Sequence, residues 1–238
     1  YIKNLFGKKT KKSKEVAKTS AYSKRVERPN SQMPKTRAKK SEQTGRYDKN
    51  VIKAAQFDIS PRDFSRNALN VVEKLQRQGF EAYIVGGCIR DLLLGKKPKD
   101  FDVATNARPE QIQNIFQRQC RLVGRRFRLA HIMYGREIFE VATFRAGHEN
   151  HTNDKISKVS DEGMLLRDNV YGTLFEDAGR RDFSVNAFYY DPRHNLIYDF
   201  FNGIEDLRAG KLRLLGDPTQ RYQEDPVRML RALRFAAK

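Results

Sequence analysis

Apolar residues change their spacing several times along this chain, and each change predicts an element. With Ser60 as N-cap and Pro61 as first helical residue, Phe64, Leu69, Val72 and Leu75 form a helical stripe that ends at Gly79, and the folded part is expected to begin there. The continuous apolar run Ala82-Tyr83-Ile84-Val85 predicts a buried strand entering Gly86-Gly87, followed by a short helix over 89–94 that Gly95 stops. A strand over 100–104, a helix over 109–117 with Ile112, Ile115 and Phe116 inward, and a short strand over 121–124 come next. Residues 129–134 and 137–144 read as two strands joined by a tight turn at Gly135-Arg136. Residues 145–163 show neither period nor apolar content and predict a long surface loop. A helical stretch through Leu166, Val170, Leu174 and Phe175 is expected after it, then a hairpin of 187–190 and 196–200, and a short helix near 203–207. A last helix over 225–238 stops in mid-pattern, from which the natural protein is expected to continue into further helices.

Composition adds a boundary to this picture. The chain has 238 residues, 39% of them hydrophobic, enough for one substantial core or one core with the start of a second. Its net charge is +18, but residues 1–46 hold 15 basic and 3 acidic side chains, so the remainder carries only +6. Such a segment is expected to be a disordered basic tail, able to neutralise RNA phosphates without reading sequence. Cys88 and Cys120 lack C-x-x-C spacing, which argues against a disulfide scaffold or zinc knuckle and for a reduced, cytoplasmic compartment. His148-x-x-His151 has no third ligand nearby in the sequence. The absence of an 18-residue apolar run or signal-peptide pattern argues against membrane insertion and export.

Three strings carry chemistry. Gly86-Gly87 between a strand and a helix start could turn backbone N–H groups toward a triphosphate, and Asp100 and Asp102 at i and i+2 would leave one face of a strand while Phe101 and Val103 turn inward. Hard oxygen ligands on one face suit Mg²⁺. Glu140 shares a strand face with Ile138, Ala142 and Phe144, where a carboxylate needs a partner, so it is a candidate third acid or the partner of an arginine such as Arg145. Arg180-Arg181-Asp182 gathers guanidinium forks that bind phosphate or ribose oxygens. Finally, Glu224-Asp225 followed by Arg228, Arg231 and Arg234 places acids at a helix start and arginines three apart beyond it. Gly86-Gly87 lacks G-x-G-x-x-G spacing, which argues against a nicotinamide-binding fold.

The string G-G-x2-R-D-x3-G-x4-D-x-D, from Gly86 through Arg90 and Asp91 to Asp102, resembles the nucleotidyltransferase family of bacterial poly(A) polymerases and bacterial-type tRNA CCA-adding enzymes. R-R-D-F-x-x-N and E-D-x-x-R-x-x-R-A-x-R-F follow in the family's order, so the resemblance covers roughly 62–238. It implies a mixed α/β nucleotidyltransferase head over 60–190 and a mainly helical neck over 191–238, incomplete at its C-terminus. It further implies two Mg²⁺ ions on Asp100 and Asp102, with ATP as substrate. Arg181, Asp182 and Asn186 would meet the nucleotide's sugar and phosphates, Asp225 and Arg228 its base edge, and Arg231 and Arg234 would lie near phosphates. Residues 122–132 and 169–172, with the basic tail, resemble the poly(A) polymerase branch. That branch implies template-independent AMP transfer to 3′ ends of mRNA and other RNAs, with RNA-decay or RNA-chaperone proteins as candidate partners. The rival expectations are tRNA CCA addition and a non-catalytic RNA-binding protein.

Overall fold

The structure is a computed structural model, and the residues it describes are 51–124, 128–146, 157–159, 165–168 and 170–237. The basic tail over 1–46 and the histidine pair at 148 and 151 lie outside them. The chain enters the fold earlier than expected, through β1 (Val51–Lys53) and a 3-10 turn at Ala54–Phe57. Ser60 and Pro61 do make a cap, but of a three-residue 3-10 turn, because Asp63 reaches back to the Ser60 backbone N–H at 2.8 Å. The helix itself, α1 (Arg66–Arg77), starts at Ser65, whose hydroxyl accepts from the Ala68 N–H, and it buries Ala68, Val71, Val72 and Leu75. Phe64 stays outside the helix and stacks on Tyr190, with ring centroids 4.1 Å apart.

Next come β2 (Ala82–Val85), α2 (Gly87–Leu93), β3 (Asp102–Thr105), α3 (Pro109–Phe116) and β4 (Cys120–Val123), near the positions expected. The hairpin of β5 (Leu129–Tyr134) and β6 (Glu137–Thr143) also forms, turning at Gly135 with φ +62°. Two strands, β7 (Ser157–Val159) and β8 (Leu165–Asp168), pair antiparallel where a loop and the start of a helix were expected. An apolar run as short as Leu165-Leu166 carries no period that separates strand from helix. Helix α4 (Leu174–Gly179) begins only after this hairpin, capped by Thr173 and Glu176. Then follow β9 (Phe188–Asp191), β10 (Leu196–Asp199), α5 (Gly203–Arg208), α6 (Pro218–Glu224) and α7 (Val227–Ala236). Helix α6 has no counterpart among the expected elements, and Asp225, the expected start of the last helix, instead ends α6 in extended conformation.

Eight strands form one mixed sheet in the order β1-β10-β9-β2-β3-β6-β5-β4. All its pairings are antiparallel except β3 with β6. Because β9 and β10 are neighbours in this sheet, the division expected after residue 190 falls within β9. Alternation along the strands fills two cores. On one face Ile84, Val103, Ile132, Val141 and Tyr190 pack against α1 and α3; on the other Val85, Ala104, Phe144 and Tyr189 pack against Leu174 and Ala178 of α4. Among the described residues, no helix is long and apolar enough to cross a membrane.

Candidate active site

The turn after β2 is glycine for a steric reason. Gly86 has φ +80°, its N–H donates to the Phe188 carbonyl of β9 at 3.0 Å, and a Cβ there would stand 3.2 Å from Nη1 of Arg181. A Cβ on Gly87 would meet Nη2 of Arg90 at 3.2 Å. The two glycines therefore let two guanidinium groups lie against the backbone. Cys88 beside them donates its thiol to the Val85 carbonyl, and burial pushes that thiol up to about 12, so it is chemically quiet.

Asp102 opens β3, while Asp100 lies in the exposed segment just before it; both line one cleft. Burial, then the charge of Glu140, raises the Asp102 carboxyl above its ordinary range; Arg181 opposes the shift and Asp100 adds to it. The register explains the reach of Glu140: Val103 sits opposite Val141 in the parallel pair, so the preceding residues, Asp102 and Glu140, come side by side. Glu140 does share a sheet face with Phe144, but that face is closed only at the Phe144 end. At Glu140 it is open, the side chain is 55% exposed, and His131 on β5 stands opposite at 3.7 Å. Desolvation therefore does not force a partner on Glu140, and Glu140 does not line the cleft.

The acids fit a divalent ion. Asp100 and Asp102 offer hard oxygen ligands whose mutual repulsion a cation would relieve. Among the described residues no three His, Cys, Asp or Glu side chains close on one point. An ion held here by two carboxylates would draw its other ligands from phosphate and water, the habit of Mg²⁺ rather than of Zn²⁺.

On the facing side, Arg181 donates its Nε–H to the Tyr189 hydroxyl at 2.8 Å and lies over that ring at 4.8 Å, while Tyr189 donates to Asp177 at 2.6 Å. Burial works against its charge, but Tyr189 and Asp177 outweigh burial and hold the guanidinium firmly protonated. Asp182 is saturated. One oxygen accepts from the Phe183 N–H at 2.8 Å and from Asn186 at 3.1 Å; the other takes a fork from Arg231, Nε at 2.7 Å and Nη2 at 2.6 Å. Asn186 in turn accepts from Arg90, whose guanidinium also pairs with Asp91 at 2.6 Å and covers the Phe235 ring at 5.0 Å. Phe235 meets Phe183 edge-on at 5.7 Å. This chain of contacts clasps α7 to the head.

Asp225 and Arg228 do not line the cleft. Arg228 is buried, donating to the Arg221 carbonyl at 2.6 Å and to Glu224 at 3.1 Å. Its neighbour Arg221, which no motif in the sequence singles out, is also buried. It donates to the carbonyls of Leu215 at 3.0 Å, of Arg181 at 2.8 Å and of Arg180, and pairs with Glu224 at 2.6 Å. Burial and the charge of Arg228 lower its pKa, with Glu224 opposing them. Nothing in a polar stretch such as Asp217 to Glu224 marks one arginine as interior. Arg221 fixes the backbone that presents Arg181 and Asp182.

The cleft measures about 1160 Å³, and every site residue expected from the sequence lines it except Glu140, Asp225 and Arg228. A glycine turn, an acid pair at the start of an interior strand of a mixed sheet and an arginine loop opposite define a nucleotidyltransferase head. The chain belongs to the poly(A) polymerase head-domain family, whose pattern matches residues 82–213. Poly(A) polymerase I of Haemophilus influenzae is 82% identical over 206 residues, covering 87% of this chain and 46% of that protein. Poly(A) polymerase I of Escherichia coli O6:H1 is 58% identical over 189 residues, covering 79% and 40%. A solved Bacillus stearothermophilus CCA-adding enzyme in complex with CTP matches with a TM-score of 0.59 at 33% identity, covering 76% of this chain and 40% of that one. The chain thus spans less than half the length of these curated relatives.

Proposed function

We propose that this chain is the catalytic head and first neck helices of a cytoplasmic bacterial poly(A) polymerase, which transfers AMP from ATP to RNA 3′ ends without a template. The RNA 3′-hydroxyl gives its proton to solvent as its oxygen bonds to the α-phosphorus, the bond from that phosphorus to the bridging oxygen breaks, and pyrophosphate leaves with the electron pair. The observation that carries this reading is the convergence of Gly86-Gly87, Asp100, Asp102, Arg181 and Asp182 on one cleft, although up to 96 positions separate them. Asp100 and Asp102 would hold the Mg²⁺ ions, which when bound supply a lowered pKa for the 3′-hydroxyl and neutralise the leaving pyrophosphate. Gly86 and Gly87 leave room for the Arg181 and Arg90 guanidinium groups beside the turn, and Arg181, locked by Tyr189 and Asp177, places a fixed positive charge against the triphosphate. Asp182 orients Arg231 and Asn186 toward the same space. Asp225 and Arg228 are assigned the base edge, which requires Arg228 to leave both Glu224 and the Arg221 carbonyl. Glu140 tunes Asp102 through its charge. The head runs on through β10 and α5, and the neck begins with α6.

CCA addition is the second reading, favoured by the solved neighbour of that name; the relative at 82% identity favours poly(A) synthesis. Incubation with unstructured RNA and with tRNA lacking its 3′ end, each with one of four labelled nucleotides, separates them. Long AMP tracts on unstructured RNA are expected. Addition limited to CMP and AMP on tRNA would replace the reading, and no incorporation on either RNA would end it.

A further inference from the structure

One rim of the cleft carries charge that the mechanism above leaves unused. Lys96, Lys97 and Lys99, from the segment between α2 and Asp100, line the cleft together with Lys211, which follows α5. All four are exposed, and among the described residues none has a carboxylate within ion-pair distance. Three of the cleft's arginines differ: Arg90, Arg181 and Arg231 are each committed to Asp91, Asp177 or Asp182. The lysines, with Arg234 over the Phe235 ring at 5.3 Å, are the cleft's cations without a carboxylate partner among the described residues.

Their placement is built by the same device twice. Gly95 and Gly210 both adopt left-handed φ, +67° and +62°. After the first, the Gly95 N–H bonds to the Leu92 carbonyl and the Lys96 N–H to that of Asp91, each at 2.8 Å; after the second, Gly210 bonds to Leu207 at 3.2 Å and Lys211 to Asp206 at 2.8 Å. These are Schellman endings, which halt a helix and send the next residue out in a fixed direction. Pro98 is buried between exposed Lys97 and Lys99, pinning the first segment before it reaches Asp100. Fixed backbone with free ammonium groups is the result.

We infer that Lys96, Lys97, Lys99 and Lys211 form a phosphate track for the RNA strand whose 3′ end is delivered to Asp100 and Asp102. The inference rests on the function proposed above. Three of the lysines lead directly into the acid at which the 3′-hydroxyl must arrive, so a strand along this rim ends at the reacting position. A product that advances one nucleotide per addition needs contacts indifferent to register. Ammonium point charges on flexible stems supply that, whereas guanidinium forks fix one geometry.

The test uses the 238-residue chain, a labelled 15-nucleotide oligoadenylate and no divalent metal, with anisotropy read between 50 and 200 mM KCl. Each lysine on a single-strand phosphate contributes about 0.7 to the log–log salt slope, so the K96Q/K97Q/K99Q/K211Q variant is expected to lose about 2.8 from it. Between those salt concentrations wild type then sheds about 50-fold more affinity than the variant. The corresponding Lys→Arg variant should keep the wild-type slope, and ATP affinity without RNA should not change. Lysines serving only their helix ends would lower the melting temperature and leave the slope intact, which overturns the inference. A loss confined to ATP assigns the rim to the triphosphate and overturns it equally. Wild type that incorporates AMP while the variant keeps its slope refutes the track alone; wild type that neither binds RNA nor incorporates AMP refutes the proposed function with it.

Discussion

Replacing Arg221 by Met keeps an unbranched stem without the guanidinium and removes four polar contacts at once. The carbonyls of Leu215, Arg180 and Arg181 lose a charged donor, and Glu224 loses its shorter partner. Arg221 and Glu224 are only 9% and 13% exposed, so water does not replace what is lost. Removing one member of a buried pair costs about 3–5 kcal/mol. The lower end applies because Glu224 keeps Arg228 at 3.1 Å, and a loss of about 3 kcal/mol lowers the melting temperature by about 6–12 °C for a domain of this size. Arg77 provides the control. Its contact with Glu73 has the same 2.6 Å length but is 70% and 54% exposed, so Arg77→Met should cost under ~0.5 kcal/mol. Thermal unfolding of both variants and wild type, followed by far-UV circular dichroism, measures the contrast. Because Arg221 holds the backbone of Arg180 and Arg181, the KM for ATP should also rise in Arg221→Met. Equal melting temperatures for Arg221→Met and Arg77→Met would refute the argument that this guanidinium is a keystone.

Asp100→Ala or Asp102→Ala should reduce AMP incorporation by at least ~10³ while RNA binding persists, and near-normal turnover would remove them from the site. The raised pKa of Asp102 also fixes a sign: the folded state holds that proton to higher pH than the unfolded chain, so stability is lost as pH rises through the folded pKa. Metal-free Asp102→Asn should accordingly melt above wild type at pH 7–8, with the difference shrinking toward pH 4; a gap independent of pH would contradict this. Arg228→Ala should weaken discrimination of ATP from CTP by ~1–3 kcal/mol in kcat/KM, and a uniform loss over all four nucleotides would withdraw base reading from Arg228. Gly86→Ala places a Cβ 3.2 Å from the Arg181 guanidinium at a φ of +80°, so both stability and ATP affinity should fall; an unchanged KM for ATP would show that the triphosphate does not use this turn.

Local strings were the legible part of this chain. The run from Ala82 to Asp102 carries its strand, turn, helix and acid pair within 21 positions, so period and glycine placement were enough to read it. Ser60 followed by Pro61 has the look of a helix cap, but Asp63 reaches back to Ser60 and closes a short turn there, and α1 starts at Ser65 instead. What depends on distant partners was not readable. The burial of Arg221 comes from carbonyls about 40 residues away, and the position of β9 beside β2 joins segments about a hundred residues apart. The open end of the Glu140 face likewise follows from what fails to cover β6, which no property of the strand itself announces.

The clasp of Arg231 on Asp182 gives this fold a timetable. The acids at 100 and 102 leave the ribosome first, yet the opposing wall waits for 181–186 and the clasp for 231–235. At about 5–20 residues per second, the 129 positions from Asp102 to Arg231 take roughly 6–26 s to synthesise. A nascent chain therefore carries Asp100 and Asp102 for many seconds with nothing opposite them, and long-range closure of this kind is slow even after release. The two walls of the cleft therefore meet only once residues 231–235 have emerged and docked.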